Sequence, residues 1–322
     1  MIFIDEPCPV KIVDYEQCIE QMTRKLASVP GVLAVYQIGG LSAPGISDID
    51  MVAIFEDGAS CNIDPRLNQS EISKYLFVHP LFATSRSLFE ESRRFTFFHN
   101  FRLLHGEELR PSEPHQNSDE DSIMKRQLAR EFLVRMLVNM TVEREYGIYK
   151  LRAMLLQGKA LLYDLEFLEV EPLPLLECLH QIICWRENWF SNHPNNREVE
   201  YFYNKFWAAL TAFLGNHLGD NPLYLPKRSK YLVGRNIEIR PGAQVGGKSV
   251  GLKLAWVPNR FARKLISIQH RLNRITITAP IQTLDVPERV EKSFEYNARA
   301  LAYNHRHLPH FMPLTSSLIF RS

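Results

Sequence analysis

The sequence predicts an α/β N-terminal domain with a mixed sheet and packed helices, then a helical bundle, then a small C-terminal region of short strands closed by a helix. Three observations carry this reading. Two apolar, β-branched runs bounded by Gly and Pro, Val32 to Ile38 and Asp48 to Phe55, lie near the start. Leu128, Phe132, Met136 and Met140 recur every fourth residue, and Leu151, Leu155, Leu161 and Leu165 continue the pattern. From Asn221 the texture shifts to short β-like runs interrupted by Pro and Gly.

Tyr15 to Ala27 reads as an amphipathic helix, with Cys18, Met22 and Leu26 at spacing four and Pro30-Gly31 as its stop. The strand Val32 to Ile38 follows and ends in Gly39-Gly40; after a Pro44-Gly45 turn comes the strand Asp48 to Phe55. Tyr75 to Thr84 is expected to be a third strand, placed at an edge or bulge by Pro80. Leu88 to Leu104 is expected to be helical. The acidic, proline-containing stretch 111–122 reads as a linker. Beyond it, Leu175 to Phe190 and Glu198 to Leu214 add aromatic-rich helices, with Met136, Met140, Trp185, Trp189 and Trp207 as bundle core. Asp285 and Glu288, with Pro287 between them, form a capping-box-like start to a last helix through Ala302. The expected domains are therefore 1–115, 116–220 and 221–322.

With 45% hydrophobic and 23% charged residues, the composition is that of a globular protein with a sizeable core. No apolar run approaches the length that spans a bilayer, and Met1 to Val10 lacks a basic, then apolar, leader pattern, so a cytoplasmic location is expected. Cys8, Cys18, Cys61, Cys178 and Cys184 are scattered without a CxxC pair, which favours reduced thiols over zinc or disulfides. Charge is uneven. Lys227 to Arg274 holds twelve Lys or Arg and one acid, Glu238, and the rest of the chain carries 26 basic against 35 acidic groups.

The stretch Ile38 to Phe55, IGGLSAPGISDIDMVAIF, carries the chemistry. Strand alternation puts Asp48 and Asp50 on one face, while Ile49 and Met51 turn to the core. Two adjacent carboxylates repel unless a cation neutralises them. Mg2+ fits, because it takes one or two carboxylates plus substrate phosphate oxygens. Gly39 and Gly40 present backbone amides with no side chain in the way of a phosphate.

Together these residues resemble the nucleotidyltransferase superfamily that includes DNA polymerase beta and the aminoglycoside nucleotidyltransferases. The shared pattern is a strand ending in Gly-Gly or Gly-Ser, a spacer, and Asp-hydrophobic-Asp/Glu-hydrophobic on the next strand; Gly39, Gly40, Asp48, Ile49, Asp50 and Met51 match it. The resemblance covers about the first 110 residues and implies a nucleoside triphosphate and Mg2+ as partners. It further implies transfer of a nucleoside monophosphate to a hydroxyl of a small-molecule, sugar or other acceptor, by two-metal in-line displacement. Gly40 stands where the family usually has serine, and Ser42 or Ser47 is the candidate replacement for that hydroxyl. In the family a later strand supplies a third carboxylate; in Tyr75 to Thr84 the ligand-type side chain is His79, with Glu90 and Glu91 just beyond. The other reading of the same residues is an inactive nucleotidyltransferase fold that binds a nucleotide, a nucleic acid or a protein.

Gly242 to Ser249, GAQVGGKS, matches the phosphate-loop pattern, but Pro241 precedes it and a strand-like run, Val250 to Val257, follows, so a glycine-rich β-turn is expected. His305, His307 and His310 have no common zinc spacing and read as an exposed polar tail. The basic segment reads either as an ordinary solvated surface or as a rim that attracts a phosphorylated acceptor, with β-alternation letting three or four of Lys227, Arg228, Lys230, Arg235, Arg240, Lys248 and Lys253 share a face. The neighbouring aromatics form no stacking motif, so a small or lipid-linked phosphorylated acceptor fits this segment better than DNA or RNA.

Overall fold

The computed structural model describes residues 2–96, 98, 100–109, 118–251 and 262–315. The chain is mixed α/β and opens with β1 (Ile2–Ile4), α1 (Ile12–Ala27), β2 (Val32–Ile38), β3 (Asp50–Phe55), α2 (Glu71–Leu76), β4 (Phe82–Ser85), α3 (Arg86–Ser92) and β5 (Arg102–Gly106). Next come α4 (Ser118–Tyr146), β6 (Ile148–Lys150), α5 (Leu151–Leu168), α6 (Leu173–Asn188) and α7 (Asn196–Asp220). The remainder holds β7 (Leu223–Tyr224), β8 (Tyr231–Gly234), β9 (Ile237–Pro241), β10 (Gly246–Val250), α8 (Ala262–Leu272), β11 (Arg274–Ala279), β12 (Ile281–Gln282), α9 (Glu288–His307) and β13 (Met312–Pro313). Among the described residues no helix is long and apolar enough to cross a membrane. The five cysteines are free thiols. Two compact units form, one from Cys8–Met124 with Glu291–Ser316, the other from Met1–Pro7, Lys125–Val290 and Ser317–Ser322.

The first unit is built on a five-stranded sheet in the order β13-β4-β3-β2-β5. β2 runs antiparallel to β3 and β5, whereas β4 runs parallel to β3 and β13. Both faces are covered, which is why β3 reads as a continuous apolar run. Met51, Ala53 and Phe55 pack with Tyr15, Cys18, Met22 and Leu26 of α1, while Val52 and Ile54 pack on the opposite face with Tyr36, Phe82 and Phe89.

Two expectations are corrected here. Tyr75 and Leu76 end helix α2, whose N-cap Ser70 accepts the Ser73 amide, and the strand begins only at Phe82. Proline cannot donate to a ladder and restricts the residue before it, so His79-Pro80 stays in the connection. β4 is not at an edge, since β3 and β13 flank it. The helix expected over Leu88 to Leu104 stops at Ser92; Asn100 adopts φ 59°, a left-handed conformation that breaks a helix, and Arg102–Gly106 becomes the sheet strand beside β2. Most of the expected linker at 111–122 and most of the strand-like run Val250 to Val257 lie outside the described residues, and α4 already begins at Ser118.

In the second unit, helices α5, α6 and α7 bury Leu155, Leu161, Leu165, Leu179, Ile182, Phe206, Leu210 and Leu214. Gly158 permits the close approach of α6, because a Cβ there would stand 2.4 Å from Ile182 Cδ1. A four-stranded sheet in the order β10-β11-β9-β8 follows the helices in sequence. GAQVGGKS has no phosphate-loop geometry: Gly246, Gly247, Lys248 and Ser249 lie in strand β10 and pair antiparallel with β11. In the first unit, His305 and His307 stand in the last turn of α9, where the His307 ring stacks on Tyr303 and its Nδ1 is 2.8 Å from Ser60 Oγ.

Candidate metal centre

Three segments of the first unit converge at one end of its sheet. Register places Ile38, the last residue of β2, opposite Asp50, the first of β3, so Gly39 and Gly40 continue directly alongside the aspartates. Parallel pairing of Val52 with Phe82 brings the approach to β4, which carries His79, to the other side of Asp50. Asp48, Ile49 and Asp50 keep the alternation of a strand, with Ile49 buried at 2% exposure and both aspartates half-buried.

Asp48, Asp50 and His79 each offer a ligand atom, and these atoms lie within 4.8 Å of one another. His79 Nε2 is 2.8 Å from Asp50 Oδ1, and its Nδ1 is 2.7 Å from the carbonyl oxygen of Pro80. A carbonyl can only accept, so the proton sits on Nδ1 and the Nε2 end faces the carboxylate. This is how metal-binding histidines are usually held, with one ring nitrogen donating to a backbone oxygen and the other turned to the ion. Without a cation the same geometry favours an imidazolium. Burial opposes that charge, but the Asp50 bond and charge, the Pro80 carbonyl and the more distant Asp48 together raise the His79 pKa above its ordinary value. The ring also packs edge-on against Phe82, with centroids 5.1 Å apart, which fixes its plane.

The glycine pair gives the site an open side. Gly39 is exposed at φ 74°, and a Cβ built there would lie 3.7 Å from Asp50 Oδ2. Around Gly40 a Cβ would meet no heavy atom within 4 Å. Ser42 is exposed, whereas Ser47 is buried and its hydroxyl accepts the Ala43 amide at 3.1 Å, folding the loop upon itself. Glu90 and Glu91 are drawn elsewhere, into ion pairs with Arg86 and Arg299.

Sequence reading missed the residues that hold this loop. Tyr15, fully buried on α1, donates its hydroxyl to the Ser47 carbonyl at 2.7 Å and accepts the Gly45 amide at 2.9 Å. Tyr75 at the end of α2 donates to the Gly45 carbonyl and accepts the Cys8 amide. The sequence reads Tyr15 as part of a helix and Tyr75 as part of a strand, and neither reading carries a sign of the loop some thirty residues away, so their reach to it is a tertiary fact. No family model, curated protein or solved structure matches the chain. What the centre can do therefore rests on its own geometry: two carboxylates and an oriented imidazole beside an open backbone shoulder suit a divalent cation and a phosphate-bearing ligand.

Proposed function

We propose that the first unit is a nucleotidyltransferase that moves a nucleoside monophosphate from a nucleoside triphosphate to an acceptor hydroxyl, dependent on a divalent cation. One observation carries this reading. Asp48, Asp50 and His79 bring three ligand atoms within 4.8 Å of one another, next to a glycine pair that is open at Gly40. A bound cation such as Mg2+ supplies Lewis-acid neutralisation of phosphate charge. The chain's own residues do the rest. Asp48 and Asp50 would hold the ion from one strand face, His79 would complete the set through Nε2, and the Gly39-Gly40 backbone lies where phosphate oxygens would meet it. Tyr15 and Tyr75 keep the intervening loop in place by the bonds described above. The imidazole in place of a third carboxylate gives specific support to the second reading, a centre that binds a metal–nucleotide pair without turnover, because it leaves one anionic ligand fewer.

The test is transfer of label from α-labelled nucleoside triphosphates to hydroxyl acceptors, small phosphorylated molecules among them, with Mg2+ and with Mn2+. Asp48→Asn with Asp50→Asn should abolish both transfer and metal-dependent nucleotide binding while the circular dichroism stays native. Label transfer by the double variant at the native rate would overturn the assignment. Metal-dependent binding without transfer under every acceptor would select the second reading.

A further inference from the structure

The small sheet of the second unit has one apolar and one polar face. Ile275, Ile277 and Ala279 of β11 are buried, and Ile237 and Ile239 of β9 are buried on the same side. Arg274, Thr276 and Thr278 therefore face away. Register extends that outer face across three strands: Thr276 stands between Lys248 and Glu238, and Thr278 between Gly246 and Arg240. Lys248, Thr276, Thr278, Gly246 and Arg240 of this face line a basin of about 950 Å³, to which Arg274 also contributes, while Glu238 does not. Gly246, opposite Thr278 on this face, contributes no side-chain bulk to it.

The charge of this face is one-sided. Arg240, Lys248 and Arg274 are exposed cations, and the single acid, Glu238, is 7% exposed and accepts a bond from Arg240 Nη2 at 3.0 Å. That bond uses one of the five N–H donors of the guanidinium and orients the rest of the fork. Among the described residues β10 is also the edge of its sheet, so alternate backbone amides there point outward. Cations, hydroxyls and edge amides are the donor set that phosphate recognition uses. Among the described residues the lining includes no aromatic ring.

We infer that this basin is a binding site for phosphate-bearing anions, with Lys248 and Arg274 as its main cationic contacts, Arg240 held by Glu238 as the third, and Thr276 as a hydroxyl donor. The chemistry is that of a phosphate chain, whether the backbone of a single-stranded nucleic acid or a phosphorylated small molecule. It is independent of the metal centre and does not need a nucleotidyltransferase activity.

Full-length protein in EDTA, which silences any metal-dependent site, is titrated with inorganic tripolyphosphate and with a short single-stranded oligonucleotide. Three phosphate contacts predict that affinity for the oligonucleotide falls about twentyfold between about 50 and about 200 mM salt. Lys248→Ala with Arg274→Ala should weaken both probes tenfold or more and reduce that salt effect to about threefold. These side chains are exposed, and native circular dichroism of the variant excludes misfolding. Stronger binding of the oligonucleotide identifies a nucleic-acid backbone, and stronger binding of tripolyphosphate a small phosphorylated ligand; either supports the site. Absence of binding by both probes overturns it, as does binding that survives Lys248→Glu with Arg274→Glu at an unchanged salt dependence.

Discussion

Tyr15→Phe removes one oxygen atom and keeps the ring, so it isolates the hold that α1 exerts on the metal-centre loop. The native hydroxyl makes two bonds, to the Ser47 carbonyl at 2.7 Å and from the Gly45 amide at 2.9 Å, in a side chain with no solvent exposure. Two hydrogen bonds at about 1 kcal/mol net each, with the added cost of disturbing buried polar groups, set a destabilisation of about 1–3 kcal/mol. The Gly45 amide reports this directly, because its exchange with solvent requires the bond to Tyr15 to open. At about 1.4 kcal/mol per factor of ten, exchange should speed up by about fivefold to about a hundredfold. The loop ends at Asp48, so its ordering must be restored when a cation binds; Mn2+ affinity should fall by no more than the same factor. Hydrogen exchange read by mass spectrometry on a peptide covering 40–50, alongside a Mn2+ titration, measures both. Exchange within twofold of native, together with unchanged Mn2+ affinity, would refute the positioning role.

Gly39→Ala forces an L side chain into φ 74° with its methyl 3.7 Å from Asp50 Oδ2, and should cost about 1–2 kcal/mol in thermal unfolding. Gly40→Ser places a side chain where it would meet open space, so stability should stay within about 0.5 kcal/mol and, under the proposed function, nucleotide affinity should hold or rise; a loss of either contradicts the open-shoulder geometry. Asp164 of the second unit is 4% exposed, and its Oδ2 has no hydrogen-bond partner among the described residues; burial pushes its pKa up from 3.8 to about 8. The folded state then keeps a proton that the unfolded state loses, so stability declines as pH rises between those values, at up to about 1.4 kcal/mol per pH unit. Asp164→Asn lacks this slope and should gain about 2–3 kcal/mol on the native protein between about pH 5 and pH 7 in urea unfolding followed by Trp185, Trp189 and Trp207; identical pH slopes for the two proteins would sink the assignment.

How much of the fold the sequence discloses depends on how local each cause is. Val32–Ile38 is read to the residue because a helix stop precedes it and a glycine pair ends it. The strand expected over Asp48 to Phe55 begins only at Asp50 but is otherwise read through its apolar run, since a strand covered on both faces needs no polar alternation. The misreadings fall where short apolar runs fit helix and strand alike. Tyr75 belongs to a helix because Ser70 caps it, and Leu103 to a strand because β2 offers an edge. The pairing of Met312 and Pro313 with β4 has no local signature at all; a two-residue strand over two hundred positions away is recruited by the parallel edge that β4 presents.

The same distinction separates the two sites. Asp48, Asp50, Gly39, Gly40 and His79 are legible because each sits beside a turn or proline that fixes its backbone locally, whereas Tyr15 and Tyr75 act across thirty residues and leave no mark in spacing. In the basic segment, alternation along a strand limits how many cations can share a face, and Arg240 and Lys248 do lie on one. Alternation within a strand cannot say which strands are neighbours. Arg274 joins them only because β11 inserts between β9 and β10, parallel to one and antiparallel to the other, a pairing that places residues from three separate stretches on one surface. That insertion also decides the fate of the glycine-rich motif. A loop that would need a helix behind it to cradle a phosphate by its N-terminus is instead drawn out as an edge strand, so Lys248 meets solvent beside Thr276, and the proposed anion recognition is by side chains across a sheet face and by edge amides, not by a helix N-terminus.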